Sequence, residues 1–517
     1  MRKGLLVILV LTLAAALFLG GCGDNGNNTN DGTDAAQDLV IAIGAEPENL
    51  DPITMMSSPA ATISEHMAET LIYLDVDGTL QPQLATSWEP SEDDMYWDLT
   101  LREGVEFHDG APFNAEAVKI NLDRFMEHAP FAFLLGEVSE VEVVEEYLVR
   151  IHLERPFAPI ASHLSHSFIA MQSPDSLEKL AEGDFVEGPV GTGPFVYDGW
   201  ERGQQIKMVR NDNYWGDAPQ LETVTFRFIP EEGSRVVALE SGEVHAIMAV
   251  PPSEIARLQG VDGIDVVEET SVRVIYLGFN QDLELFEDVR VRQALNYAID
   301  KESIVNTIFQ GVGSPSTSPI VPAIFGYTEV GPYEYDVEKA RDLLAEAGYE
   351  DGFEIELYHP TGRYPQDAAV AEAVQAMLAE VGVEAELKTL EWGTYLDTVI
   401  TEPENAQHDI FMLGWGTMTL DADYGLYALF HSSQFPPSNN VSYYVNDEVD
   451  ALLDEARVTA DRAEREAMYE EAIQTIWEDA PWIFLYDEGQ VNAVRSNVQG
   501  LIHHPLENLS AWDAWIE

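Results

Sequence analysis

Residues 353–387 read FEIELYHPTGRYPQDAAVAEAVQAMLAEVGVEAEL, and the changes of hydrophobic period within them decide the fold class. Phe353 to Tyr358 is a strand. Val370, Val374, Met377, Leu378 and Val381 then fall on one face of a helix, which Gly382 ends. Val383, Ala385 and Leu387 alternate as the next strand. Strand, helix and strand in succession imply α/β architecture rather than a sandwich or a helical bundle. The connecting loop, HPTGRYPQD (His359 to Asp367), carries Arg363 and Tyr364.

The same alternation extends in both directions. Asp38 to Gly44 (DLVIAIG), Tyr96 to Arg102, Val224 to Ile229 and Val272 to Phe279 read as strands. Ala115 to Phe125 has helical spacing. Asp336 can cap a helix running to about Ala347, with Gly348 as its stop, and Asn446 can cap another that buries Val449, Leu452, Leu453 and Ala456. His408 to Leu413 is a strand ending in Gly414-Trp415-Gly416. With 517 residues the chain can form two or three domain-sized units. No repeat at a fixed period and no internal linker is present.

The N-terminus predicts export. Arg2 and Lys3 precede an apolar run from Leu5 to Leu19, and Leu19-Gly20-Gly21-Cys22 closes it, so residues 1–21 read as a signal peptide. The run is marginal for a membrane span, which needs roughly 20 apolar residues. Leu-Gly-Gly-Cys also matches the bacterial lipobox, which makes Cys22 the expected lipidated residue. Residues 22–37 are polar, Gly- and Asn-rich and aperiodic, as a flexible tether is. Cys22 is the only cysteine, so there is no intrachain disulfide and no Cys-based metal site.

The chain holds 92 Asp+Glu against 26 Lys+Arg, a net charge of −66. Such a surface repels phosphate and excludes nucleic acid as a partner. The acid is spread along the whole chain, as suits a protein exposed to a saline or alkaline habitat where salt screens self-repulsion. A hydrophobic content of 46% supplies real cores.

No catalytic motif stands out. There is no phosphate loop and no nucleophile elbow. The glycines of GPVGTGPF (residues 188–195) have the wrong spacing for a dinucleotide site, and tight turning or close approach explains them better. His163-x-x-His166 could pair on a helix face, but no third ligand accompanies it. Adjacent His503 and His504 point apart. Asp421 and Asp423 could be an acid/base pair, but no candidate nucleophile stands near them. The reading is a protein with no enzymatic activity, no metal and no cofactor.

Several ordered stretches carry a resemblance: AEPENLDP (Ala45 to Pro52); GTLQPQLATSWE leading to LREGVEFHDGAPFNAEAV; GPVGTGPF followed by RNDNYW; and LGFN leading to FEDVRVRQALNYAIDKESIV. Together they resemble the peptide/nickel (family 5) extracellular solute-binding proteins of ABC importers, from about Asp38 to the end. The resemblance implies a type II periplasmic-binding-protein fold in which two lobes close about a hinge. Lobe I is expected over 38–272 with the return segment 490–517, and lobe II over 273–489. An extra subdomain of lobe I is expected within about 60–180. The hinge is expected near Ser271 to Tyr276 and Gly489 to Ala493.

What is implied for function follows the same family. A lipid-anchored monomer on the outer or periplasmic side of the cell membrane would hand its solute to permease and ATPase subunits. Ser57 and Ser58, after the first strand, match a place where relatives offer small polar groups to a peptide. Arg363 matches an arginine that holds a peptide carboxylate, and Tyr364 adjoins it. Trp415 matches a tryptophan that walls the ligand. Three residues later, where peptide binders place an amine-binding Asp, this chain has Met418; Asp421 or Asp423 could substitute. FPPSNNVSYY (Phe435 to Tyr444), APWIFLY and GRYPQD with LEWGTYL resemble the glutathione-binding branch most. A peptide or glutathione-like solute is therefore expected. A nickel chelate or another small solute, or a sensor signalling to a membrane receptor, is the alternative.

Overall fold

In the computed structural model, residues 37–181 and 188–517 are described. The expected signal peptide, Cys22 and all of the expected tether except Gln37 lie outside them. The stretch that decides the fold class forms a βαβ unit. Phe353–Thr361 pairs in parallel with Val383–Glu391, in register from Phe353↔Val383 to Thr361↔Glu391, and the helix Asp367–Glu380 crosses between them. The first strand runs three residues beyond Tyr358. His359 is buried inside it, its ring bonded to the Pro360 carbonyl and the Thr389 hydroxyl, so the loop proper starts later.

Helix starts follow their side-chain caps. Asp336 accepts from the Lys339 N–H, and Asn446 accepts from the Glu448 and Val449 N–H groups. Each satisfies donors that a helix start would otherwise leave bare.

An 11-stranded mixed sheet runs through the protein. Two long antiparallel strands, Ile264–Phe279 and Trp482–Arg495, lie at its centre and belong to both of its halves. Residues Ile264 to Thr270 pair with Gly489 to Arg495, and Ala493 and Val494 in turn meet Ala246–Ile247 beside Asp38–Ile43. Residues Val274 to Gly278 pair with Trp482 to Asp487, and on the other side Arg273 to Phe279 pair with Ile410–Gly416, next to the βαβ unit. The register between the long strands shifts between Thr270 and Val274. Such an irregularity bends a strand and breaks its ladder. The result is a two-lobed α/β molecule of the periplasmic-binding-protein type, with both lobes built on one interrupted sheet.

A separate antiparallel sheet orders Ala85–Pro90, Tyr96–Leu101, Leu148–Leu153 and Val138–Glu145, and the helix Ala115–His128 packs on it. The core is continuous and aromatic near the crossing strands, where Tyr276 stacks on Trp482 with ring centroids 3.5 Å apart. A smaller core of Val236, Leu239, Val244 and Leu258 backs the first half of the sheet.

The glycines of residues 188–195 serve close backbone approach. A Cβ on Gly191 would lie 2.3 Å from the Met67 carbonyl oxygen, and one on Gly193 would lie 2.7 Å from that of His66. Both distances are too short for any side chain, so the motif seats this segment directly on the chain that backs the cleft.

Candidate ligand-binding cleft

The crossing strands bring one charged residue into the gap between the lobes. Arg273 lies within the register shift, is 4% exposed, and links three segments. Its guanidinium donates to Ser58 Oγ at 2.7 Å, to the Gly414 carbonyl at 2.9 Å and to Glu507 at 2.6 Å. Glu488 lies 3.5 Å away. Burial works against the Arg273 charge, but Glu507 and Glu488 outweigh it and hold the guanidinium above its ordinary pKa. Glu507, although buried, is held below the usual carboxylate range by Arg273. Glu488, with burial and Glu507 both against its charge, is pushed above that range.

The loops expected to bind meet around this cluster. Ser57, Ser58, Arg363, Tyr364, Trp415 and Met418 all line one cavity with Arg273. Glu48 shapes the first loop by accepting from the Met56 N–H and the Ser57 hydroxyl, each at 2.5 Å. Arg363 Nη2 reaches Ser58 Oγ only at 3.5 Å, and its Nε is buried with no hydrogen-bond partner. The guanidinium rests near two aromatic faces, 4.8 Å from the Tyr364 ring and 5.3 Å from that of Trp392. That contact holds the cation without spending its donors. Tyr364 is buried, and its hydroxyl accepts from the Gly414 N–H at 2.8 Å.

Trp415 packs against Tyr424 and Phe131, at 5.1 and 6.2 Å between centroids, and its indole N–H is buried and unpaired. Met418 folds over Gly416, so that corner is apolar. Asp421 and Asp423 do not line the cavity. Asp421 caps the helix Ala422–Phe430 and takes both its oxygens to Arg465, at 2.8 and 3.0 Å. Asp423 is 1% exposed, 3.2 Å from Arg457 and 3.3 Å from His163. Burial raises the Asp423 pKa against the pull of the two arginines. Both carboxylates thus lie beside arginines and outside the cavity lining.

His163 and His166 do not make a pair. His163 bonds the Leu134 carbonyl, whereas His166 lies against Phe168 and Tyr424. Burial pushes both down to about 3, so both are neutral. Among the described residues no group of three or more His, Cys, Asp or Glu is placed to hold a metal.

Sequence reasoning missed Arg273, Trp392 and Glu507. Arg273 had a signal, being the one charge in the apolar run from Val272 to Phe279. Trp392 stands in LEWGTYL, quoted above only for its resemblance. Glu507 had none, as one acid among 92.

The model of the bacterial extracellular solute-binding proteins, family 5 Middle, matches residues 79–437. The chain is 33% identical over 486 residues to the glutathione-binding protein GsiB of Salmonella typhimurium, covering 93% of this chain and 94% of that one. It superposes on the ABC transporter-associated periplasmic binding protein DppA from Helicobacter pylori, in complex with peptide STSA, with a TM-score of 0.86. That pair is 28% identical over 93% of this chain and 98% of the other. The oligopeptide-binding protein AppA from Bacillus subtilis, in complex with a nonapeptide, gives a TM-score of 0.85 at 27% identity, over 93% and 99% of the two chains. The family model covers more than half of the chain and the glutathione-binding relative nearly all of it, so the chain belongs to the family-5 bacterial extracellular solute-binding proteins.

Proposed function

We propose that this protein captures a peptide or a glutathione-like compound in the cleft and delivers it to the permease of an ABC importer, whose ATPase subunits drive transport. The observation that carries this reading is Arg363, a cation facing the cleft with an unspent, buried Nε. A guanidinium binds a carboxylate through two parallel hydrogen bonds, and every ligand of this class has at least one carboxylate. The relatives named as glutathione-, peptide- and oligopeptide-binding support the same class.

Capture works by closure. Residues 38–272 with 490–517 act as lobe I, carrying an extra subdomain within about 60–180, and residues 273–489 act as lobe II. The two turn about Ser271 to Tyr276 and Gly489 to Ala493, around the register shift of the crossing strands. A ligand touching both lobes favours the closed state by its differential affinity alone. A lipid on Cys22, with its tether, keeps the trap near the permease and raises the effective concentration there. The acidic surface keeps it soluble in external salt.

A thermal-shift screen of the mature chain in high salt tests this. Glutathione or a di- to pentapeptide is expected to raise apparent stability, by about 2.7 kcal/mol at a hundredfold excess over Kd. If all of these fail while a sugar or a nickel chelate succeeds, the ligand class is wrong.

A further inference from the structure

A group of unpaired acceptors lines the same cavity. Glu65 follows the helix Ser58–Ser64 and lines the cavity. Its Oε2 accepts from Asn508 Nδ2 at 2.5 Å, but its Oε1 is buried with no partner. Asn508 and Ser510 lie two apart on the strand Asn508–Ser510 and so share one face, whereas Leu509 between them is buried on the other. Asn508 Oδ1 and Ser510 Oγ are also buried and unpaired, and both residues line the cavity.

Three unpaired acceptors on one wall, one of them a carboxylate, match the three donors of an ammonium group. Unpaired donors line the same cavity at Arg363 Nε, at Asn439 Nδ2 and at the indoles of Trp392, Trp415 and Trp512. The alternatives for a cation site are used up. Met418 is apolar, and Asp421 and Asp423 lie outside the cavity lining, ion-paired with Arg465 and Arg457. Glu69, which also lines the cavity, already accepts from Thr192, Tyr214 and Trp215 at 2.7 to 2.8 Å.

We propose that Glu65, with Asn508 and Ser510, receives the protonated amine of the ligand and so replaces the acid missing at Met418. The assignment rests on the reading of the ligand as a compound bearing both an amine and a carboxylate. It explains why a carboxylate is kept in a place hostile to its charge. Burial pushes the Glu65 pKa up to about 8, which the Asn508 hydrogen bond only partly opposes. An unpaired buried acid of this kind weakens the empty protein, and an incoming cation repays that cost.

Calorimetric titration of the wild type, Glu65→Gln and Ser510→Ala tests the assignment. The probes are trialanine, glutathione, their N-acetylated forms, and cadaverine as an amine without a peptide. In the wild type, N-acetylation is expected to weaken binding at least about 30-fold, as loss of a buried charge pair does. In Glu65→Gln the free-amine ligand should lose a similar factor and the acetylated one should lose little. Ser510→Ala should cut the free-to-acetylated ratio severalfold, which keeps the test open if Glu65→Gln folds poorly. Equal binding of free and acetylated ligands by the wild type, or undiminished free-amine binding by Glu65→Gln, would overturn the proposal. If cadaverine binds through Glu65 while trialanine and glutathione do not, the amine site stands and the peptide reading falls.

Discussion

Replacing Arg363 by alanine is expected to weaken a carboxylate ligand by about 2–5 kcal/mol, the cost of removing one partner of a buried charge pair. That corresponds to roughly 30-fold to several thousandfold in Kd. The fold should survive, because the side chain makes one long hydrogen bond, at 3.5 Å, and otherwise only lies near the Tyr364 and Trp392 rings. The loop keeps its shape through the backbone, where the Arg363 N–H donates to Asp367 at 3.1 Å. Arg363→Lys should fall between, since a lysine keeps the charge but loses the planar fork. Calorimetry with a peptide and with its C-terminal amide separates the effects. The wild type should prefer the free carboxylate strongly, and Arg363→Ala should lose that preference. A variant with the wild-type preference would remove Arg363 from the site.

The second large effect is on stability. Arg273→Met should cost about 3–5 kcal/mol, because it leaves buried carboxylates without their cation. Glu507 and Glu488 have side chains only 12% and 14% exposed, and Arg273 is the cation paired with both. The same change cuts the links to Ser58 and to the Gly414 carbonyl, so the empty cleft should also lose its order. The pH dependence gives an internal check. In the wild type the Glu507 pKa is depressed, so this group contributes stability above the unfolded value and loses it as pH falls through the folded one. Without Arg273 burial drives both carboxyls upward, and they can protonate. The deficit of the variant should therefore be larger at pH 8 than at pH 5. Adding Glu507→Gln to Arg273→Met should restore part of the loss. Denaturation of the three proteins at both pH values measures this, and an equal deficit at pH 5 and pH 8 would contradict the assignment.

Much of this molecule is legible before folding. Hydrophobic period gives the βαβ unit at residues 353–391, because burial on one face dictates where Val370, Val374 and Leu378 must recur. Loop chemistry points to Arg363, a cation at a strand end, and the family resemblance points to Trp415; both line the cavity. Burial and pairing across long separations are not legible. Asp421 and Asp423 sit in the ligand loop by sequence, but Arg465, 44 residues on, neutralises the first. Glu65 is hidden for the opposite reason. Its place among unpaired acceptors is made by a strand that arrives 443 residues later. Arg273 could have been singled out as a charge in an apolar strand, but its work depends on Glu507 from the tail.

A cleft that recognises a carboxylate in a peptide-like ligand has a measurable consequence. Isothermal titration of the mature wild-type chain in high salt tests it most directly, with glutathione and a tripeptide set against their C-terminal amides or esters and against a neutral sugar. One-to-one binding of glutathione or the tripeptide, weakened at least about 30-fold by capping the carboxylate, is the predicted result. Binding of the sugar with no response to any free carboxylate would contradict the account.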